Sequence, residues 1–314
     1  MKPITALLTL GLALGALAAA MPAQASIFGR KPAATADGHA ASAAVDKAVA
    51  QIQKALDEQR LMDAARGLDQ ASLAGLKDPR LSLLAGDLSL ARGQPDLALD
   101  QYKQAEKDAG ARGHALQGEG IVLSSTGHSE EALQVLQKAV TEDPTAWRAW
   151  NALGAEYDER RDWTDAETAY DHALSNSDGA AIVMNNRGYS RLLQNRLDEA
   201  VADFVEALRK KPDLAAARNN IRLAMAMRGQ YDRALAGGAP EDKAALLNNA
   251  GFAAILRGDY AKAQDLLDQA MKARGEYYAR ASANLDVARD LTARAPSAAA
   301  SPAPAPASDT HEHP

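Results

Sequence analysis

Residues 147–180 read WRAWNALGAEYDERRDWTDAETAYDHALSNSDGA. Three of them, Gly154, Ala166 and Ala173, hold places that recur along the chain. Glycine returns every 34 residues at Gly86, Gly120, Gly154 and Gly188. Alanine keeps step with it at Ala98, Ala132, Ala166 and Ala200, and again at Ala105, Ala139, Ala173 and Ala207. A period of this length, with large apolar residues such as Trp150, Leu153, Tyr157 and Tyr170 between the small ones, is that of a stacked helix-turn-helix unit. Small residues are needed where helix axes approach closely, because a bulkier side chain pushes them apart. One such unit cannot bury its own apolar face, so the pattern predicts an all-α solenoid of antiparallel helix pairs.

Working outward, units 79–112, 113–146, 147–180 and 181–214 are regular, and Pro144 and Pro212 stop the second helices of two of them. Gly93 and Gly127 mark turns between paired helices; Arg161-Asp162 and Asn195 take that place in the next two units. The first unit, 45–78, is degenerate: Ala64 and Ala71 keep the alanine columns, but Ile52 sits where glycine is expected. From Ala234 to Ala263 the spacing falls to 29. The unit starting near 215 therefore lacks five residues, and Gly237-Gly238-Ala239-Pro240 falls where its second helix should end. A short second helix and a flexible joint are expected there. Unit 244–277 recovers the pattern with Gly251, Gly258, Tyr260, Ala263 and Ala270, and a helix over 278–294 is expected to cap the stack. The solenoid thus spans 45–294, with about seven repeats and a capping helix. Residues 26–44 read as a flexible lead-in, and the Ala/Pro-rich stretch 295–314 as a disordered tail.

The first 25 residues are a separate object. Lys2 supplies a positive start, Ile4 to Met21 is apolar, and Ala23-Gln24-Ala25 has the small-x-small form of a cleavage site, which is the pattern of a secretory signal peptide. The apolar run is also just long enough to span a membrane, but its composition and the site after it favour cleavage. Cleavage would remove only Lys2 from a formal net charge of −6 and leave no other long apolar run. A mildly acidic chain without a further membrane span argues against nucleic acid or an anionic membrane surface as partner. Cysteine is absent, so there is no disulfide, no thiolate metal site and no residue to carry a bacterial lipoprotein's lipid. These features place the mature protein in the bacterial periplasm, although the signal equally allows release to the exterior.

Enzyme signatures are scarce. The histidines His39, His114, His128, His172, His311 and His313 form no catalytic spacing, and His311-Glu312-His313 beside Asp309 makes no preorganised metal site. Gln117-Gly118-Glu119-Gly120 falls inside a repeat helix and lacks the lysine of a phosphate loop. No cofactor is expected. The run Glu156 to Arg161 reads as a solvated helix end. Most promising is a ladder of asparagines, Asn151, Asn185, Asn219 and Asn248, at one place in four successive first helices, with Asn186, Asn220 and Asn249 in a row behind it. Primary amides in such a row could pair with an extended peptide backbone, or could bond between neighbouring helices. Tyr189 and Phe252, each following a repeat glycine, could flank the ladder as partner contacts or serve as packing.

Trp150-Asn151-Ala152-Leu153-Gly154 with Tyr157, Ala166, Tyr170 and Ala173 resembles the tetratricopeptide repeat consensus. The resemblance implies a right-handed superhelix whose first helices line a concave groove, and a protein or peptide partner held there. The C-terminal part, MNNRGYSRLLQNRLDEAVADFVEALRKKPDLAAARNNIRLAMAMRGQYDRALAGGAP and then NNAGFAAILRGDYAKAQDLLDQA, is similar to the TadD proteins of tight-adherence (Flp) pilus assembly. That likeness implies an exported, non-enzymatic adaptor for a secretin or pilus component, here without the lipoprotein cysteine. A competing reading is a periplasmic recruiter of a cell-wall or envelope enzyme unrelated to pili; an enzyme would need a catalytic cluster the sequence does not display.

Cleavage after Ala25 is directly testable. Mass spectrometry of the mature protein should find Ser26 at its N-terminus; an intact Met1 in a membrane fraction overturns both cleavage and periplasmic release.

Overall fold

In the computed structural model, which describes residues 36–238, 242–274 and 278–294, a glycine in each regular repeat lies against a large side chain of the paired helix. A Cβ added to Gly86 would sit 2.5 Å from the Tyr102 ring, to Gly120 2.5 Å from Leu136, to Gly154 2.6 Å from Tyr170, to Gly188 2.8 Å from Phe204 and to Gly251 2.6 Å from Leu267. Close-packed interiors do not accommodate such separations, so the missing side chain is what lets each pair of helices close. The alanine columns do the same work from the other side: Ala98, Ala132, Ala166, Ala200 and Ala263 are all 0 % exposed.

The first repeat pairs α1 (Ala36–Asp57) with α2 (Leu61–Leu73). The four regular repeats pair α3 (Pro79–Ala91) with α4 (Pro95–Ala105), α5 (Arg112–Ser125) with α6 (Ser129–Glu142), α7 (Trp147–Arg160) with α8 (Trp163–Asn176), and α9 (Ala181–Leu193) with α10 (Leu197–Lys210). After them come α11 (Ala215–Met227), the short α12 (Tyr231–Leu235), the pair α13 (Lys243–Arg257) and α14 (Tyr260–Arg274), and α15 (Ala279–Arg294). No strand occurs among the described residues. Local chemistry sets the ends. Asp78 caps α3 by accepting from the Arg80 backbone N–H at 3.0 Å, with Pro79 in the first turn where no donor is needed. Beyond α7 the chain turns through Arg161 at φ 63°, a left-handed conformation that the glycines of other turns adopt without a Cβ penalty.

Two features depart from the sequence reading. Helix α1 begins at Ala36, inside the stretch expected as a flexible lead-in. Alanine is the strongest helix former, and Val45, Val49 and Ile52 give the helix a buried face one and two turns apart. The degenerate first repeat is also not simply missing its glycine. Ile52 stands in the glycine column, and Gly67 on the opposite helix makes room for it, since a Cβ there would lie 2.7 Å from Ile52 Cγ1. Large and small have exchanged helices.

By its contacts the chain divides into two compact units, Met1–Ala224 and Met225–Pro314, with the division inside α11. The shortened repeat falls at this division: Arg222 stands in its glycine column and α12 is only five residues long. Gly237 follows at φ 66°. Ala239 and Pro240, the proposed signal peptide 1–25 and the tail 295–314 lie outside the described residues.

Gly154→Leu forces a branched side chain into the Tyr170 ring, and overpacking of this kind costs about 1–3 kcal/mol. Urea unfolding followed by circular dichroism should register that loss, with Gly154→Ala intermediate; wild-type stability in Gly154→Leu would mean the helices part freely.

Candidate functional site

Neighbouring first helices touch one another within each unit: α1 with α3, α3 with α5, α5 with α7, α7 with α9, and separately α13 with α15. Second helices of neighbouring repeats make no comparable contact among the described residues. Helices on the inside of a bend crowd together and those on the outside spread, so the first helices line the concave side of each stack.

The asparagine ladder lies in this seam. Asn220 Nδ2 donates to Asn185 Oδ1 at 3.0 Å, Asn185 Nδ2 donates to Asn186 Oδ1 at 3.3 Å, and Asn186 Nδ2 donates to Asn151 Oδ1 at 3.1 Å. One continuous chain of amides thus runs from α11 through α9 to α7. The second compact unit repeats the motif: Asn284 Nδ2 donates to Asn248 Oδ1 at 3.0 Å, and Asn248 Nδ2 to Asn249 Oδ1 at 3.3 Å. Asn151, Asn185 and Asn248 are 4, 1 and 6 % exposed. The side-chain oxygen of each accepts from an asparagine of a neighbouring helix, so of the two readings open to the first row the geometry supports the structural one for these three. Asn219 alone of that row is exposed. Of the two aromatics, Phe252 is buried in the core, whereas Tyr189 is half-buried.

A half-buried stripe of the first helices passes through Asn186 of this amide chain. On α9 it comprises Ile182, Asn186, Tyr189 and Leu193, spaced by whole turns and all half-buried. The same stripe carries Arg148, Ala155 and Glu159 on α7, His114 and Ile121 on α5, and Arg80 and Asp87 on α3. Its chemistry changes along the stack, from charged at α3 to apolar at α9. At the charged end Tyr102 Oη donates to Asp87 at 2.7 Å. Burial pushes the Asp87 carboxyl up, against the pull of the Tyr102 hydroxyl and of the His114 and Arg148 charges. Burial likewise pushes the His114 imidazole down. Arg148 lies over the Trp147 ring, 4.6 Å from its centroid.

Two further polar groups escaped the sequence reading. The run Glu156 to Arg161, expected to be solvated, contains two of the most buried acids of the chain: Glu156 is 2 % and Asp158 9 % exposed. The two carboxyls leave α7 on nearly opposite sides, and each side is covered: Glu156 meets Ser124 of α5, and Asp158 meets Ser190 of α9 and Tyr170 of α8. On the far side, Arg187 makes a fork to Asp203 at 2.7 and 3.0 Å and reaches Asp171 at 2.7 Å, while Arg191 bonds Asp203 at 2.9 Å and Glu167. This cluster ties α9 to both α8 and α10 and is consumed in doing so.

Residues 118–181 and 152–215 match the family profile described as tetratricopeptide repeat. Among solved structures, a tetratricopeptide repeat protein from Parabacteroides merdae is 17 % identical, with 79 % of this chain and 99 % of that chain covered, at a TM-score of 0.51. A thermophilic tetratricopeptide protein from Thermus thermophilus is 20 % identical over 57 % of this chain and 98 % of its own, at 0.50. A chain of the Cut9–Hcn1 hetero-tetramer of the APC/C is 15 % identical over 70 % of this chain and 44 % of its own, at 0.54. At these identities the likeness is one of fold, and the fold is the tetratricopeptide solenoid. No curated protein matches the chain.

Asn185 and Asn219 make opposite predictions although they occupy the same repeat position. Asn185→Ala strands the Asn220 amide and the Asn186 oxygen and should lower stability by about 1–3 kcal/mol. Asn219→Ala should change it by less than about 0.5 kcal/mol. Thermal melts of the two variants side by side decide whether the ladder is a seam.

Proposed function

We propose that this protein is an exported adaptor that holds an extended segment of a partner protein along its first helices, and that it serves the assembly of a pilus or secretion machine. The observation that carries the groove reading is the first-helix face of the unit Met1–Ala224, where successive first helices from α3 to α9 touch and share one stripe of largely half-buried residues. Export and periplasmic residence rest on the features of residues 1–25, and the pilus assignment on the similarity of 184–270 to the TadD proteins. A scaffold binds by surface complementarity, and this stripe favours a segment with apolar side chains over Ile182, Tyr189 and Leu193 and charged ones over Asp87, His114 and Arg148. Of the six residues first singled out for partner binding, Tyr189 and Asn219 remain candidates for direct contact. Asn151 and Asn185 support the face from within; Asn248, bonded to Asn284, and Phe252, in the core, support their own unit.

An untargeted pull-down from a periplasmic extract with the mature chain tests the reading. Capture of a secretin or pilus component is expected, with about tenfold weaker binding by Tyr189→Ala in a direct titration, the loss typical of an aromatic interface contact. Capture of a cell-wall enzyme instead would favour the envelope-recruiter reading, and binding indifferent to both Tyr189→Ala and Arg148→Ala would remove the groove.

A further inference from the structure

At one register of the stack a first-helix residue meets the residue 32 positions later on the next first helix, as Ser190 meets Asp158. Where the first and second repeats meet, that register is apolar: Leu56 and Leu88 share one buried cluster. It is apolar again at the next junction, where Leu90 packs on the cluster that holds Val122. The following two junctions differ. Ser124 Oγ donates to Glu156 between α5 and α7, and Ser190 Oγ donates to Asp158 at 2.5 Å between α7 and α9. Beyond them Leu192 and Ala224, both buried, restore apolar residues to the register. Repeat 147–180 therefore sends a buried carboxyl into each of its two junctions.

We propose that repeat 147–180 is a proton-sensitive joint, whose seam against α9 is tight while Asp158 carries a proton and loosens when that proton leaves. Asp158 is held by two hydroxyls, Ser190 of α9 and Tyr170 of α8 at 2.9 Å. In its acid form it puts no charge into the seam; ionised, it must be solvated there by those two donors. Glu167 of α8 adds a like charge, and Tyr189 of α9 lies close enough for the acid to act on its phenol. Burial, opposed by the Ser190 and Tyr170 hydroxyls, pushes the carboxyl from its ordinary 3.8 up to about 6. At the other junction Glu156 faces Ser124 of α5, Ser129 of α6, and Glu159 and Arg160 of its own helix; Arg160 in turn pairs with Glu130 of α6 at 3.0 Å. Its Oε2 is buried without a hydrogen-bond partner, and burial pushes this carboxyl up as well. An acid that holds its proton more tightly folded than unfolded gives a stability fully present below its unfolded value and lost as pH rises through its folded value. For Asp158 the loss falls between its ordinary 3.8 and about 6, and is complete above.

Amide hydrogen exchange of the full mature chain at pH 5 and pH 8, corrected for the intrinsic rate, reads the joint. Openings of α7 and α9 that expose Asp158 should be about tenfold more populated at pH 8 than at pH 5. Helix α1, buried through Val45, Val49, Ile52, Ala55 and Leu56, serves as the internal reference. Asp158→Asn should flatten the difference, and carbon-detected NMR should find the wild-type carboxyl titrating near 6. Ser190→Ala, which removes a donor to the ionised form, should move that midpoint up. A carboxyl titrating at its ordinary value, a midpoint unmoved in Ser190→Ala, or a pH difference retained in Asp158→Asn each overturns the joint.

Discussion

The spacing between paired helices, set where a glycine meets a ring or leucine sixteen residues later, governs everything else in this protein. With Tyr170 seated where the Gly154 side chain would be, α7 and α8 close, and Ala166 and Ala173 of α8 are fully buried in a cluster that Val183 of α9 completes. That closeness brings the first helices of successive repeats into contact, and only then can the short amides of Asn186 and Asn151 reach each other at 3.1 Å. A larger residue in the glycine column would therefore act at a distance, through the inter-repeat bonds as much as through the repeat it occupies. The first repeat meets the same constraint with Ile52 and Gly67 exchanged, so the requirement is one large and one small partner, and the helix that carries each is free to vary.

The fold was legible because this constraint leaves a mark at fixed spacing. Gly86 to Gly188 and their alanines repeat with the period of the unit, and small residues are conspicuous among larger ones. What the spacing could not reveal is which way a polar residue on a first helix points. Asn185 and Asn219 sit at the same repeat position, yet one is 1 % exposed and bonded on two sides while the other is exposed. Which partner a polar residue meets depends on the neighbouring helix, which a single repeat's sequence does not contain. Glu156 and Asp158 escaped for a related reason: a run of charges resembles a solvated helix end until Ser124 and Ser190, each 32 residues away, are known to meet it. Helix α1 was missed at its start because alanine among serine and glycine looks like linker by composition while alanine itself favours helix.

The buried polar groups also sort the repeats by role. A seam of leucines, such as that joining Leu56 to Leu88, is insensitive to solution conditions apart from temperature and solvent composition. A seam closed by amides, such as Asn186 on Asn151, adds directionality and fixes register, because each donor has one acceptor within reach. A seam closed by a carboxyl adds a dependence on protons. All three kinds occur in the unit Met1–Ala224, the amide and the carboxyl together between α7 and α9, so its junctions need not be equally strong under any one condition.

Solenoid stability is a sum over repeats and the interfaces between neighbours, and a weak term at one place is not repaired by strength elsewhere. This makes the sixth repeat instructive. Arg222 occupies its glycine column, Gly238 stands sixteen residues on where the other repeats have a ring or leucine, and α12 offers five residues where other second helices offer eleven or more. The pair that closes every regular repeat is missing from both sides at once. Restoring it would take more than one substitution, because a glycine at 222 without a large partner opposite merely removes side-chain volume from a repeat already short of it. The division of the chain into two compact units inside this same repeat is the outcome expected when the one contact common to the others is deleted.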